Sequence, residues 1–300
     1  MRRFITKSVL LLIPLIIIAF IGEILLRKIP NDYTFKKEYL DKNAKNIEIL
    51  FLGSSHTYYG IDPNYISANA FNASHISQSI DYDYEIIKKY ETKWERLKYI
   101  VIPIDYFTLF MRVSNGIESW RVKNYEIYYD INKSNRLSDN SELLSIKPIL
   151  NLKRIYSYYL KNKGVITCTE LGYGKSKNDT QDLIRTGIEA AKRHSKSDRS
   201  YLTENLIILN DLTDFAESKS IKMLFYTSPA FNTYVSNLDK RQLKVIYTSI
   251  SNLVKNKANC SYHNFLNDSS FSSTDFRDAD HLNDFGAKKL TEKLELLIKN

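Results

Sequence analysis

Val9 to Gly22 reads VLLLIPLIIIAFIG, a run without one polar side chain. With Glu23 tolerated near its end, the apolar stretch extends through Leu26. That is about 18 residues, or roughly 27 Å of helix, close to the hydrocarbon thickness of a bilayer. A helix of a soluble domain needs a polar side to show to water, and this one has none. A cleaved signal peptide would end in a small-x-small pattern, whereas the exit here is Ala19-Phe20-Ile21-Gly22-Glu23. Residues 1–28 are therefore expected to be an uncleaved membrane anchor. Arg2, Arg3 and Lys7 precede the run, which puts the N-terminus in the cytoplasm and the bulk of the chain outside it, in the periplasm or at the cell surface. Arg27 and Lys28 weaken that bias without reversing it.

The chain as a whole has the composition of a globular protein, with 43% hydrophobic and 26% charged residues. The formal charge is +9, of which the N-terminal basic residues set against Glu23 concentrate +4 in the first 28 positions. The rest is spread along the sequence with no lysine/arginine block, so nucleic-acid binding is not expected. A mildly basic body suits an anionic glycan or a membrane surface better. Two cysteines, Cys168 and Cys260, exclude a disulfide scaffold and a cysteine-rich zinc site, and leave open whether they pair with each other. No metal or other cofactor is expected.

Residues 29–45 are polar and broken by Pro30-Asn31-Asp32, and read as a juxtamembrane linker to a domain over 46–300. Ile47 to Leu52 and Tyr99 to Ile104 are short apolar runs ending at Gly53 and near Asp105, as buried strands do when they stop at a loop. Tyr82 to Lys98 is amphipathic and predicts a crossover helix between them. A helix over Tyr201–Ser218, a strand over Ile221–Thr227 and a last helix carrying Ala287, Leu290, Leu294 and Leu297 complete the pattern. Alternating strands and helices predict a three-layer α/β/α parallel sheet, flavodoxin-like in class. The stretch from about 111 to 200 breaks the rhythm. It is rich in tyrosine (Tyr125, Tyr128, Tyr129, Tyr156, Tyr158, Tyr159) with Trp120, and reads as a helical and loop insertion at the carboxyl end of the sheet. Its aromatics could stack on sugar rings or pack as an ordinary small core.

Two motifs carry chemistry. In Phe51-Leu52-Gly53-Ser54-Ser55-His56 a strand delivers small hydroxyl residues to the sheet edge where α/β sites form. In Asp278-Ala279-Asp280-His281 an aspartate three residues before a histidine, on a loop entering the last helix, can send both side chains to one point. An imidazole, with an unperturbed pKa near 6.5, can take a proton at neutral pH while a carboxylate holds its tautomer. Each alone has a plainer reading, serines as turn or cap residues and Asp280 or Asn283 as a helix cap.

Together, and in this order, the two motifs resemble the SGNH (GDSL-like) hydrolase superfamily. Gly53-Ser54-Ser55 matches the family's Gly-Asp-Ser block with Ser54 in place of the aspartate, and Asp278 and His281 match its terminal Asp-x-x-His. The Gly-Ser-Ser-His form, the following Tyr59-Gly60-Ile61-Asp62-Pro63 and the anchor look most like extracytoplasmic members, the teichoic-acid D-alanyl transfer protein and alginate-type polysaccharide O-acetyltransferases. The resemblance covers roughly residues 45–110 and 200–300. It implies Ser55 as nucleophile, His281 as base and Asp278 as its orienter, with acyl transfer to a cell-envelope or exported polysaccharide and a membrane partner that delivers the acyl group. A carbohydrate esterase or deacetylase would use the same triad, and a catalytically silent glycan-binding protein could share the scaffold. The family's second block supplies an oxyanion amide from a glycine, for which Ser77 stands here. Its third block supplies an asparagine, which Pro103-Ile104-Asp105-Tyr106 lacks. Ser77 and His56 are the candidate substitutes, and Asp105 and Tyr106 are expected to line the cleft.

Overall fold

The computed structural model describes residues 2–175, 181–196 and 198–299. Along the chain run α1 (Arg2–Arg27), α2 (Asp32–Asn43), β1 (Ile49–Phe51), α3 (Ser55–Gly60), β2 (Ala70–Asn72), α4 (Ile80–Lys89) and β3 (Tyr99–Pro103). Then come α5 (Val122–Tyr128), α6 (Glu142–Ser145), α7 (Pro148–Ile155), α8 (Leu183–His194), α9 (Leu202–Ser218) and β4 (Lys222–Thr227). The chain ends with α10 (Asn232–Ser236), α11 (Lys240–Lys255), β5 (Cys260–Asn264), the short pair β6 (Phe276–Asp278) and β7 (His281–Leu282), and α12 (Asp284–Lys299).

The five main strands form one parallel sheet in the order β2-β1-β3-β4-β5. This is the flavodoxin-like order, whose direction of winding reverses between β1 and β3, and sites form beyond the strands' carboxyl ends at that point. Side chains alternate across the strands. Ile49, Phe51, Val101, Leu224 and Tyr226 face one way and meet Leu290 and Leu294 of α12 in one apolar cluster. Leu50, Ile100, Ile102, Met223 and Phe225, equally buried, face the other way, the side of α9, which meets both β4 and α4. Burial on both faces explains why β1 and β3 read as unbroken apolar runs rather than alternating ones.

The chain divides into two compact units, one of residues 1–38 with 117–166, the other of 39–116 with 167–300. The second holds the sheet. In the first, Lys123 and Glu142 are both buried and their ion pair at 2.6 Å is joined by the Tyr128 hydroxyl and the Arg154 guanidinium on Glu142. Burial pulls the Lys123 ammonium down to about 8 even against the pull of Glu142.

Two expectations are revised, and two points that the sequence leaves open are decided. The polar stretch 29–45 carries α2, with Tyr33, Lys36 and Leu40 buried. The crossover helix stops at Lys89 rather than Lys98, although Tyr90, Trp94 and Leu97 beyond it remain buried. Among the insertion's tyrosines, Tyr125, Tyr128 and Tyr129 are buried, with Tyr33 edge to face on Tyr125 at 5.1 Å and on Tyr129 at 6.4 Å, so these three present no ring to a ligand. Cys168 and Cys260 are not joined in a disulfide.

Candidate active site

β1 ends beside the sheet's reversal point, and the turn after it is set by Gly53. Its φ is +114°, and a Cβ there would lie 2.5 Å from Cδ and Cγ of Pro103 and 2.9 Å from Oγ1 of Thr57. Only glycine fits. The Gly53 N–H donates to Asp83 Oδ1 at 2.9 Å, and Gln78 Nε2 donates to the same oxygen at 2.6 Å. Burial pushes the Asp83 carboxyl up to about 7, against those two donors. Ser54 then caps α3 by accepting the His56 N–H, the role of an N-cap serine, and Ser55 opens the helix.

The second motif forms its own small device. β6 and β7 pair antiparallel with Asp278 opposite His281, and Asn283 Oδ1 caps the start of α12 by accepting from Phe285 and Gly286. Asp278 Oδ1 accepts the backbone N–H of His281 at 2.9 Å and lies 2.8 Å from its Nδ1. Because a carboxylate only accepts, Nδ1 carries the proton and Nε2 is left bare. Nε2 lies 2.8 Å from Ser55 Oγ, which donates to it. Ser55 and His281 are partly exposed while Asp278 is buried. The structure thus brings Ser55, His281 and Asp278, 226 residues apart in chain at the Ser–His step, into one hydrogen-bonded relay. Geometrically this arrangement can deprotonate a serine hydroxyl and stabilise the resulting imidazolium.

The other expected residues fall differently. Ser77 is half-buried with φ +60°, the left-handed conformation for which glycine is the natural choice. His56 has both ring nitrogens aimed at carboxylates, Nδ1 at Asp105 Oδ2 (2.8 Å) and Nε2 at Asp280 Oδ2 (3.5 Å). Burial opposes charge on this ring, but Asp105 and Asp280 outweigh it and lift its pKa to about 10. His56 is therefore a buried imidazolium edge-on to His281, with ring centroids 5.1 Å apart, and not an oxyanion donor. Asp105, besides holding His56, accepts the Ser228 N–H at 2.8 Å, which ties the ends of β3 and β4. Tyr106 is 2% exposed, and its hydroxyl bonds Ser195 and accepts the Asp239 N–H. It braces the framework rather than lining a cleft.

Sequence reasoning offers Asp280 only as a capping candidate and does not single out His194. Asp280 is 3% exposed. Burial favours its neutral form, yet His281, His56 and His194 around it hold the carboxyl well below the usual range. Burial drives His194 the other way, to about 3, so it stays neutral with Nδ1 on the Tyr234 hydroxyl. His56, Asp280 and His281 also place three potential ligand atoms within 4.8 Å of one another. Both His281 nitrogens are already engaged by Ser55 and Asp278, however, so a metal ion there would have to displace the relay.

No family model matches the chain, and no curated protein matches its sequence. Among solved structures, a Bacteroides fragilis protein provisionally described as an acylhydrolase aligns at 11% identity and a TM-score of 0.42, over 87% of this chain and 94% of that one. A Streptococcus pneumoniae protein provisionally described as a platelet activating factor aligns at 9% and 0.45, over 98% and 99%. Backbones this loosely alike do not say what the chain does.

Proposed function

We propose that the chain is a membrane-anchored serine acyl-transfer enzyme of the SGNH type, with Ser55 as nucleophile, His281 as base and Asp278 as its orienter. The observation that carries this reading is the Ser55–His281–Asp278 relay, with 2.8 Å at each step. Ser55 Oγ attacks an ester or thioester carbonyl while its proton passes to His281 Nε2. The tetrahedral intermediate collapses, the leaving alcohol or thiol takes that proton, and the acyl group stays on Ser55. An acceptor hydroxyl then gives its proton to His281 and attacks the acyl-serine, regenerating the free hydroxyl. The backbone N–H groups of Ser55, at the first turn of α3, and of Ser77, in its left-handed turn, are the proposed oxyanion donors.

We take the acceptor to be a cell-envelope or exported polysaccharide, the acyl group to arrive from a membrane partner, and α1 to be the anchor. Support for the anchor is its Leu10–Arg27 window, 18 residues of mean hydropathy 2.5 and 6% buried. A carbohydrate esterase differs only in letting water resolve the acyl-serine. A silent glycan-binding protein has no use for the relay, and the burial of Tyr125, Tyr128 and Tyr129 removes three of the rings that reading would employ.

The test is fluorophosphonate labelling of the detergent-solubilised full chain, followed by peptide mapping. A single adduct on Ser55, lost in His281→Ala, is the expected result; a folded protein without an adduct would refute the nucleophile assignment. Adding an O-acetyl ester donor with and without a polysaccharide acceptor then separates transfer from hydrolysis.

A further inference from the structure

Helix α7 and the turn that continues it through Leu160 are built inside out. Ile149, Leu152, Tyr156 and Leu160 are spaced 3, 4 and 4 residues apart, which places them on one helical face. They are 57%, 62%, 50% and 69% exposed. The polar side of the same helix faces inward. Asn151 is 2% exposed and donates to the Glu142 carbonyl, and Arg154 reaches the buried Glu142 carboxylate. A helix on a water-facing surface has the opposite arrangement. Leu144 of α6 adds another exposed apolar side chain, 66% exposed. Lys147, Lys153, Lys161 and Lys163 are exposed around the stripe.

Where this face is fixed identifies its occupant. The hairpin of α6 and α7 is fastened to the final turns of α1 within the same compact unit. The Glu23 carboxylate accepts the Ser141 hydroxyl (2.9 Å) and the N–H groups of Glu142 and Leu143 (3.0 Å each), so it caps α6. Arg27 donates to the Asn140 carbonyl at 2.6 Å, and the Tyr159 hydroxyl donates to the Leu25 carbonyl at 2.9 Å. A Cβ on Gly22 would touch the Leu143 side chain at 3.6 Å. All these attachments lie between residues 22 and 27, the last ~8 Å of the α1 axis, at the end of the apolar run. Amphipathic helices of the bilayer interface bury their apolar face roughly 5–10 Å deep, between acyl chains and headgroups, with lysines at the phosphate level.

We propose that the α6–α7 hairpin is an interfacial membrane element, seating the Ile149–Leu152–Tyr156–Leu160 stripe in the outer boundary of the bilayer that α1 crosses, with the surrounding lysines on anionic headgroups. The proposal rests on the reading of α1 as an anchor. It gives part of the tyrosine-rich insertion a lipid partner in place of a sugar.

The experiment uses the full chain reconstituted into phosphatidylcholine/phosphatidylglycerol vesicles, in a Cys168→Ser, Cys260→Ser background. One environment-sensitive fluorophore is placed at a time through Leu152→Cys, Ile13→Cys or Ser251→Cys, and lipids carry a nitroxide at a shallow or a deep acyl carbon. Leu152 and Ser251 are exposed, so labelling there does not open the core, and retained fluorophosphonate labelling of Ser55 certifies each variant as folded. The shallow nitroxide is expected to remove roughly half of the emission at position 152 and leave position 251 unchanged, while the deep nitroxide quenches position 13. Quenching at 13 with position 152 behaving like 251 overturns the proposal and leaves the anchor standing. Absence of quenching at 13 removes the anchor and this proposal with it. Protection of position 152 in native membranes but not in protein-free lipid would assign the stripe to a membrane protein, and so overturn the lipid reading.

Discussion

Asp83 couples the turn that carries Ser55 to pH, and replacing it by asparagine should stabilise the protein increasingly as pH rises above about 4, and in full above about 7. Its carboxyl is fully buried, one oxygen receives both the Gly53 N–H and Gln78 Nε2, and burial raises its pKa from 3.8 to about 7. The fold therefore binds this proton more tightly than the unfolded chain does. The stabilising contribution is complete below pH 3.8 and is lost progressively as pH rises through about 7. At 1.36 kcal/mol for each pH unit between the two pKa values, the loss comes to about 4 kcal/mol. Asparagine mimics the protonated acid at every pH and keeps an oxygen for both donors. Asp83→Asn should thus match the wild type near pH 4 and exceed it by about 4 kcal/mol at pH 8. Urea unfolding of the full chain in detergent, followed at the buried Trp94 of the same unit, measures both. A stability difference that stays flat between pH 4 and 8 would refute a protonated Asp83, and a uniform loss would mean that a charged acceptor is what the turn needs.

The same geometry carries three further outcomes. Asp278→Asn removes the acceptor that fixes the His281 tautomer and should slow acylation of Ser55 by about 10³- to 10⁴-fold; stopped-flow release from an activated ester reads this, and a loss below tenfold would reassign the orienting role. Gly53→Ala forces a Cβ to within 2.5 Å of Pro103 at a φ of +114° and should cost at least about 2 kcal/mol, with slower probe labelling; unchanged labelling would show that the turn does not set the nucleophile. His56→Gln leaves Asp105 buried without the imidazolium it holds and strips one cation from Asp280, which keeps Arg193 at 3.6 Å; it should cost about 3–5 kcal/mol, part of it recovered by adding Asp105→Asn. That ion-pair contribution is complete below pH 6.5 and lost as pH rises through about 10, so the His56→Gln deficit should shrink in strong alkali.

The sheet's centre is legible in the sequence and its edges are not. β1 and β3, covered on both faces, are continuous apolar runs, and burial alone marks them. β2 is only Ala70-Phe71-Asn72, and β5 is Cys-Ser-Tyr-His-Asn, partly exposed at the sheet's edge; neither has a pattern that separates a strand from a loop. The crossover helix reads too long because Trp94 and Leu97 stay buried after it ends, so apolar spacing outlasts the helix itself. α2 escapes notice because its buried surface includes Lys36, which reads as solvent-facing. The inverted polarity of α7 is likewise hidden, since periodicity shows that a helix has two faces and not which one meets water.

At the site, the two motifs tell more than the separate reading of each residue allows. Successive residues of a helix point about 100° apart. With Ser55 Oγ turned to His281, the adjacent His56 must turn aside from the relay, and there it meets Asp105 and Asp280. The block Asp278-Ala279-Asp280-His281 is the counterpart. Its first aspartate orients His281, and its second, two residues on, faces His56. Each motif therefore contains one half of the relay and one half of a buried charge clasp, so the two short segments hold one another in register. An aspartate that reads as a helix cap and a histidine that reads as an oxyanion donor mislead for a common reason. Their partners lie 224 and 49 residues away, and only the fold's reversal point between β1 and β3 brings them to one place.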